Sequence, residues 1–426
     1  MLYHMREIAH AGLAPARAAA DLTSRMLRHP DNPWRETTAA RWLSASCELF
    51  DDVTRRYDKP EWGLHSTLID GAQVPVALEV VQREPFCDLL HFRRGVVRDD
   101  PRLLVVAPMS GHYATLLRDT VRALLPNHDV YVSDWLDAAM VPLVDGGFDL
   151  DDYIDYVIGF LHTLGPDTHV LAVCQPAVPV LAAVSVMAAR KDPLAPSSMT
   201  LIGGPIDTRV SPTVPNDLAM NHPLEWFESN LLATVPATFP GFGRRVYPGF
   251  MQLSGFISMN IQRHVDAHQD FFNYLVQGDG DSAQQHRDFY REYLAVMDTS
   301  AEFYLQTIST VFQEHALPRG VMHHRGERVD PGAIEHTALL TIEGGKDDIS
   351  GPGQTEAAQG LCCNLPAARK LHYVQPEVGH YGTFSGRRWR ELIVPVIGEF
   401  IRASAGEPVS AKAPVPRGRK KSPSPP

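Results

Sequence analysis

Long apolar runs are missing from this 426-residue chain. No stretch of roughly 18 uninterrupted apolar residues occurs, which argues against a membrane-spanning helix. Met1 to Asp21 scatters Arg6, His10 and Arg17 among alanines and lacks the compact apolar segment of a secretory signal. Cysteine is scarce: Cys47, Cys87, Cys174, Cys362 and Cys363 are few and odd in number. That excludes a disulfide-dense scaffold and leads us to expect a reducing cytoplasm. Basic charge falls short as well, with 39 Lys and Arg against 50 Asp and Glu, a net of −11. Nucleic acid is therefore not an expected partner. Neither a P-loop nor a Rossmann glycine fingerprint is found. Apolar side chains, in contrast, make up 44% of the chain. That is enough to bury a sizeable core in one large or two to three ordinary domains.

Residues 1–64 read as helical, with apolar-periodic stretches at Gly12–Arg28 and Thr38–Tyr57. Two β-rich runs follow between Gln73 and Arg94, separated by Glu84-Pro85. From Leu103 onward strand and helix patterns alternate. Strands are expected at Leu103–Ala107, Val130–Ser133, His169–Val173, Met199–Ile202, Ala338–Ile342 and Lys370–Val374. Helices are expected at Tyr113–Leu125, Leu150–Leu164, Ala177–Arg190, Gly353–Leu361 and Trp389–Ala403. This alternation predicts an α/β protein with a mostly parallel sheet flanked by helices, its core spanning 65–205 and 336–404. Chemistry in such sheets sits at the carboxyl ends of the strands.

Residues 206–335 interrupt the alternation and read as a helical cap inserted over the sheet. Trp226 to Phe312 holds 16 of the 36 aromatic residues, among them Trp226, Phe227, Phe250 and Phe256. These either fill a helical mini-core or line a groove for an apolar ligand. The segment 405–426 holds six prolines and the basic run Arg417-Gly-Arg-Lys-Lys421, a composition expected to stay disordered.

The most informative stretch is His169-Val-Leu-Ala-Val-Cys174-Gln-Pro-Ala-Val, an apolar strand running straight into an apolar helix. A nucleophile occupies such a turn in the α/β-hydrolase fold, within G-x-S-x-G. The five positions here are Ala172-Val-Cys174-Gln175-Pro176, so both glycines are replaced. Cys174 is either a thiol activated by a helix N-terminus and an imidazole, or a buried small apolar residue. The segment alone leaves both open. Two later strand ends add weight to the first reading: Glu343-Gly-Gly-Lys-Asp347-Asp348-Ile-Ser350 and Val378-Gly-His380-Tyr-Gly382. The order nucleophile, acid, histidine is that of α/β-hydrolases. Asp347 is favoured over Asp348 as the acid that holds His380 in the correct tautomer. Oxyanion donors are expected from the N–H of Met109 or Ser110 and from that of Gln175. His112 is read as structural or substrate-facing.

Other candidates are weaker. His264 and His268 have metal-pair spacing but lack the glutamate of a zinc protease. The Asp279 segment begins like a calcium loop, yet its twelfth position is Tyr290. His323-His324 reads as a surface pair and Cys362-Cys363 as core thiols. No metal or cofactor is expected.

At these residues the chain resembles the intracellular poly(3-hydroxybutyrate) depolymerases. The shared motifs are Ala107-Pro-Met-Ser-Gly-His-Tyr-Ala-Thr-Leu-Leu-Arg118, Val170-Leu-Ala-Val-Cys-Gln-Pro-Ala177, Glu343-Gly-Gly-Lys-Asp-Asp-Ile-Ser-Gly351 and Val378-Gly-His-Tyr-Gly382. The resemblance extends from the N-terminus to about Ala403. It implies attack of Cys174 on a polymer ester, a thioester acyl-enzyme, and release of 3-hydroxybutyrate or oligomers by water, with coenzyme A as an alternative acceptor. It further implies work at polymer granules in the cytoplasm. His112, Trp226, Phe227, Phe250 and Tyr381 are then candidates for contact with the polyester. A polyester synthase or small-ester hydrolase of the same fold, and a non-catalytic granule-coating protein, are the rival readings.

Overall fold

In the computed structural model, which describes residues 2–405, nine strands form one sheet. They are β1 (Ser66–Ile69), β2 (Ala72–Glu84), β3 (Cys87–Arg94), β4 (Arg102–Val106), β5 (Asp129–Trp135), β6 (Thr168–Val173), β7 (Ser198–Ile202), β8 (Ala338–Gly344) and β9 (Lys370–Gln375). Their spatial order is β1-β2-β3-β5-β4-β6-β7-β8-β9. The first three run as an antiparallel meander, β3 joins β5 antiparallel, and every pairing from β5 to β9 is parallel. All residues of β6, β7 and β8 are buried. That is why these strands read as continuous apolar runs: helices cover both faces of a parallel sheet.

The helices are α1 (Leu2–Arg28), α2 (Thr38–Thr54), α3 (Arg118–Leu124), α4 (Leu150–Leu164), α5 (Ala177–Ala189), α6 (Val214–Asn221), α7 (Leu224–Leu231), α8 (Gly249–Met259), α9 (Ile261–Gln277), α10 (Gly280–Leu294), α11 (Ala301–Thr307), α12 (Ala357–Leu361) and α13 (Val394–Ser404). Helix α4 starts at a reciprocal cap between Asp149 and Asp152 and stops at Gly165, φ +81°; both signals occur where the apolar period begins and ends. Helix α5 is buried from Ala177 to Met187, as an all-apolar helix must be.

Three departures from expectation have local causes. The helix expected from Gly353 begins only at Ala357, because the buried Glu343 carboxylate accepts the N–H groups of Gly353, Thr355 and Glu356 at 2.8–2.9 Å. Those donors are thereby held in a turn. The cap contains a three-stranded sheet of Ala233–Thr234, Arg245–Tyr247 and Thr299–Ser300; strands of two or three residues carry no period to read. His324 is buried and bonded to Asp155 at 2.8 Å instead of lying on the surface.

Helices α6 to α11 lie in the inserted stretch, and α9 and α10 pack against each other. Helices α1 and α2 pair with each other, and α2 packs on α9. Arg287 of α10 binds both Glu48 and Asp52 of α2. No helix among the described residues is long and apolar enough to cross a membrane. The basic proline-rich tail expected over 405–426 lies, beyond Ala405, outside the described residues.

Candidate active site

Strand β6 delivers Cys174 to the carboxyl edge of the sheet with φ +68°. A non-glycine residue in this region is strained, and a strained strand-to-helix turn is how the hydrolase elbow lifts its nucleophile out of the sheet. The turn is fixed on both sides: the Cys174 N–H donates to the Ile202 carbonyl at 2.7 Å, and the Cys174 carbonyl accepts from Ala177 N–H at 3.1 Å. Close packing here needs a residue without a side chain. Neither Ala172 nor Pro176 supplies it; Gly204 does. A β-carbon on Gly204 would stand 2.1 Å from that of Ala177 and 3.0 Å from the Cys174 carbonyl oxygen. The glycine missing from the elbow motif has thus been moved to the end of the adjacent strand.

Strands β8 and β9 deliver the other two groups. His380 and Asp347 are buried, and His380 Nδ1 donates to Asp347 Oδ2 at 2.8 Å. The second carboxylate oxygen, Oδ1, accepts the backbone N–H groups of Ile349 and Ser350, both at 2.9 Å. That leaves Asp347 one free oxygen, aimed at the imidazole. The neighbouring Asp348 instead accepts from Asn260 Nδ2 at 3.2 Å. The Cys174 side chain lies near enough to act on the charge of the imidazole. Burial alone would lower the pKa of His380, but the charges of Cys174 and Asp347 outweigh it and hold the imidazole well above its ordinary value.

The loop after β4 completes the edge. Gln175 lies beside it, and the Met109 N–H donates to the Gln175 side-chain Oε1 at 3.1 Å. No acceptor is found among the described residues for the N–H of Ser110 or of Gln175. The same loop is tied to the cap: Met297 N–H donates to the Gly111 carbonyl at 2.7 Å, and His112 Nε2 lies 3.1 Å from the Tyr293 carbonyl. Burial drives the His112 imidazole down to a pKa of about 4 against the small raising effect of that carbonyl.

Beside this edge opens a cavity of about 740 Å³. Its walls include Phe256 and Met259 of α8, Phe289 and Tyr293 of α10, and His380 and Tyr381. Cys174 is not part of the wall, so the cavity meets the group of three at His380. Of the five residues named for substrate contact, only Tyr381 borders it. His112 is a buried tie between the β4 loop and the cap, behind Phe256 and Tyr293. Trp226 stacks on His222, and Phe227 is buried against Tyr304 within the cap. Phe250 is held by Tyr3 and lies under the Arg6 guanidinium of α1. None of those three aromatics borders the cavity. Composition concentrated them in the cap but carried no information about facing. The sequence reading missed Phe289 and Tyr293, which lie four apart on α10 and so share one helix face, as well as Gly203 and Gly204.

No metal ligand set sits at this edge among the described residues. The one trio of ligand atoms close together belongs to Glu343, Glu356 and His372. Glu343 already accepts three backbone N–H groups there, which marks it as a cap of the 353–356 turn. His264 bonds Tyr290 and His268 bonds the His264 carbonyl, so that pair is internally satisfied. Asp279 caps α10 through Ser282 N–H.

Several comparisons bear on this arrangement. Solved structures similar to the chain include a putative lipase from Acinetobacter baumannii AYE, at 12% identity over 78% of this chain and 92% of that one, with a TM-score of 0.42. Another is an esterase from Thermogutta terrifontis, at 13% identity over 80% and 97%, TM-score 0.39. A third is 2-hydroxy-6-oxo-6-phenylhexa-2,4-dienoate hydrolase from Rhodococcus sp. strain RHA1, at 13% over 77% and 99%, TM-score 0.42. All three likenesses are distant, and the fold rests on the strand order and the elbow described above. No curated protein matches the chain. Residues 203–405, which carry the cap, Asp347 and His380, match the family model described as PHB de-polymerase C-terminus. That match takes in just under half of the chain, and the chain is an ester hydrolase of the α/β-hydrolase fold.

Proposed function

We propose that this chain depolymerises poly(3-hydroxybutyrate), with Cys174, His380 and Asp347 as the reacting set. One observation carries the reading: a cysteine in strained conformation at the strand-to-helix turn, beside a histidine bonded to a fully engaged aspartate, in a chain whose 203–405 segment matches the PHB de-polymerase family.

In this reading His380 takes the Cys174 proton and the sulfur adds to the ester carbonyl. The resulting oxyanion is met by backbone N–H groups at the β4 loop and the elbow, where preorganised donors lower the barrier most. The carbon–oxygen bond breaks, His380 gives its proton to the departing alkoxide, and a Cys174 thioester remains. Asp347 keeps the imidazole in the required tautomer and stabilises its protonated form. Water, deprotonated by His380, then opens the thioester and releases the hydroxy acid. Coenzyme A is the competing acceptor, since its thiolate attacks a thioester carbonyl readily. The cavity beside His380, walled by aromatic side chains such as Phe256, Phe289 and Tyr293 together with polar groups such as Arg263 and Asp348, suits an amorphous polyester strand at the surface of a cytoplasmic granule.

The test is intact-mass analysis after exposure to amorphous poly(3-hydroxybutyrate), with and without coenzyme A. An acyl adduct mapped to Cys174, absent in Cys174→Ala, is the expected result. Adducts at Cys362 or Cys363 would overturn the site. Preference for short p-nitrophenyl esters over polymer would favour a small-ester hydrolase, and chain growth from 3-hydroxybutyryl-CoA a synthase. Undiminished polymer breakdown by Cys174→Ala would leave a coating protein and a contaminating activity.

A further inference from the structure

The hydrogen bond from Met109 N–H to Gln175 Oε1 has a consequence for how the oxyanion is met. The candidate donors on the β4 loop are the N–H groups of Met109 and Ser110. The first is already engaged at 3.1 Å by a side chain from the elbow itself. The loop's other ties lie at its two ends: Ala107 donates to Ser133 Oγ and accepts from Trp135 Nε1 and the Tyr153 hydroxyl, while Gly111 and His112 are tied to Met297 and Tyr293 of the cap. Gly111 adopts φ +91°, and a β-carbon there would come within 2.9 Å of Gln252 Oε1, so the cap presses on the loop from above. Met109 is buried and Gln175 half-buried.

We propose that Gln175 is a positioning residue as well as a backbone donor: its side-chain carbonyl clamps the β4 loop to the nucleophile turn through Met109, so that the oxyanion is received by the N–H groups of Ser110 and Gln175. This rests on the depolymerase reading for the identity of the reaction, and on the hydrogen bond for the role of the side chain. The physical case is one of register. Oxyanion donors act only when held within hydrogen-bond distance of the oxygen that gains charge, and an unclamped loop would carry Ser110 away from it. A glutamine suits this task because its carbonyl accepts while its length spans from the elbow to the loop.

The experiment compares Gln175→Ala, Gln175→Met and Gln175→Glu on a short 3-hydroxybutyrate ester and on amorphous polymer, with Cys174→Ala as the control. Glutamate keeps an acceptor at the end of a side chain of equal length; methionine keeps the length without it. Gln175→Ala and Gln175→Met should lose about 10-fold or more in kcat, with KM changed less than about 3-fold, as expected for a group that acts only in the transition state. Gln175→Glu should recover most of the lost kcat. Thermal melting of each variant separates misfolding from mispositioning. If Gln175→Ala matches or exceeds the native rate, the side chain is idle or obstructs the site, and the inference falls while an inactive Cys174→Ala keeps the depolymerase reading intact. If Gln175→Met equals Gln175→Glu, the acceptor has no role and the inference also falls. Full activity in Cys174→Ala would overturn both.

Discussion

Gly203 lies against His380: a β-carbon built on it would stand 3.2 Å from the imidazole Cε1 and 3.3 Å from Asp347 Oδ2. The residue also holds φ +55°, and its N–H donates to the Ile342 carbonyl at 2.9 Å. Strand β7 therefore ends in a position that must be bare if the His380–Asp347 pair is to stay in register. Gly203→Ala should lower kcat by about 10-fold or more, since small misplacements of reacting groups are costly. The backbone strain of a side chain at this φ should also destabilise the fold by about 1–2 kcal/mol. Ester cleavage and thermal melting of the same preparation test both; a normal rate would mean that the pair tolerates displacement.

Asp347→Asn isolates the carboxylate's charge. The imidazole of His380 is lowered by burial and raised by Cys174 and Asp347, with the raising effects ahead. Loss of one of the two raising charges should bring the acid limb of the rate profile, where His380 must shed its proton to act as base, to lower pH, and reduce kcat by about 1,000-fold or more. The sign for stability follows from the raised value. The native pair stabilises the fold fully below the unfolded imidazole's pKa of about 6.5 and loses this as pH rises through the higher folded value. The variant should therefore lose more stability at pH 6 than at pH 9, measured by urea denaturation.

Acid should act through different histidines. Burial pushes His112, His128 and His169 down to about 4. Each takes a proton near pH 6.5 when unfolded but not when folded. Their contribution is thus complete above about 6.5 and lost as pH falls toward 4, at about 1.4 kcal/mol per pH unit for each proton. The urea midpoint should drop steeply between pH 6.5 and 4.5. His112→Asn, which keeps a donor toward the Tyr293 carbonyl, should flatten that slope.

Arg287→Ala should detach α2 from the cap in part. Its guanidinium bonds Glu48 and Asp52 and lies 5.2 Å above the Phe271 ring. Loss of these charge-assisted bonds should cost about 1.5–3 kcal/mol. Faster proteolysis within Thr38–Thr54 would report it, and unaltered melting and proteolysis would place the anchoring elsewhere.

The fold was legible because its central strands are buried on both faces, and such strands announce themselves as apolar runs between helices. The candidate chemical groups were legible for a related reason: Cys174, Asp347 and His380 each follow one of those runs. Their immediate supports were not. Gly203 and Gly204 act across to Cys174 and His380 from a neighbouring strand, and the bonds of Asp347 to Ile349 and Ser350 belong to loop shape, which has no period. Which cap aromatics border the cavity was illegible for a different reason. Trp226, Phe227 and Phe250 have the same chemistry as Phe289 and Tyr293, and only packing decides which of them meet the cavity. Phe250 is claimed by Tyr3, almost 250 residues earlier in the chain, a partner no local pattern could name.

The grip of Arg287 on Glu48 and Asp52 means that the roof over the cavity is fastened to the opening segment of the polypeptide. A hinge that raised α9 and α10 to admit a bulky polymer would have to drag α1 and α2 along or tear them loose. Access to His380 is thereby made to depend on residues at the far end of the chain, and trimming the first two helices would alter which esters get in.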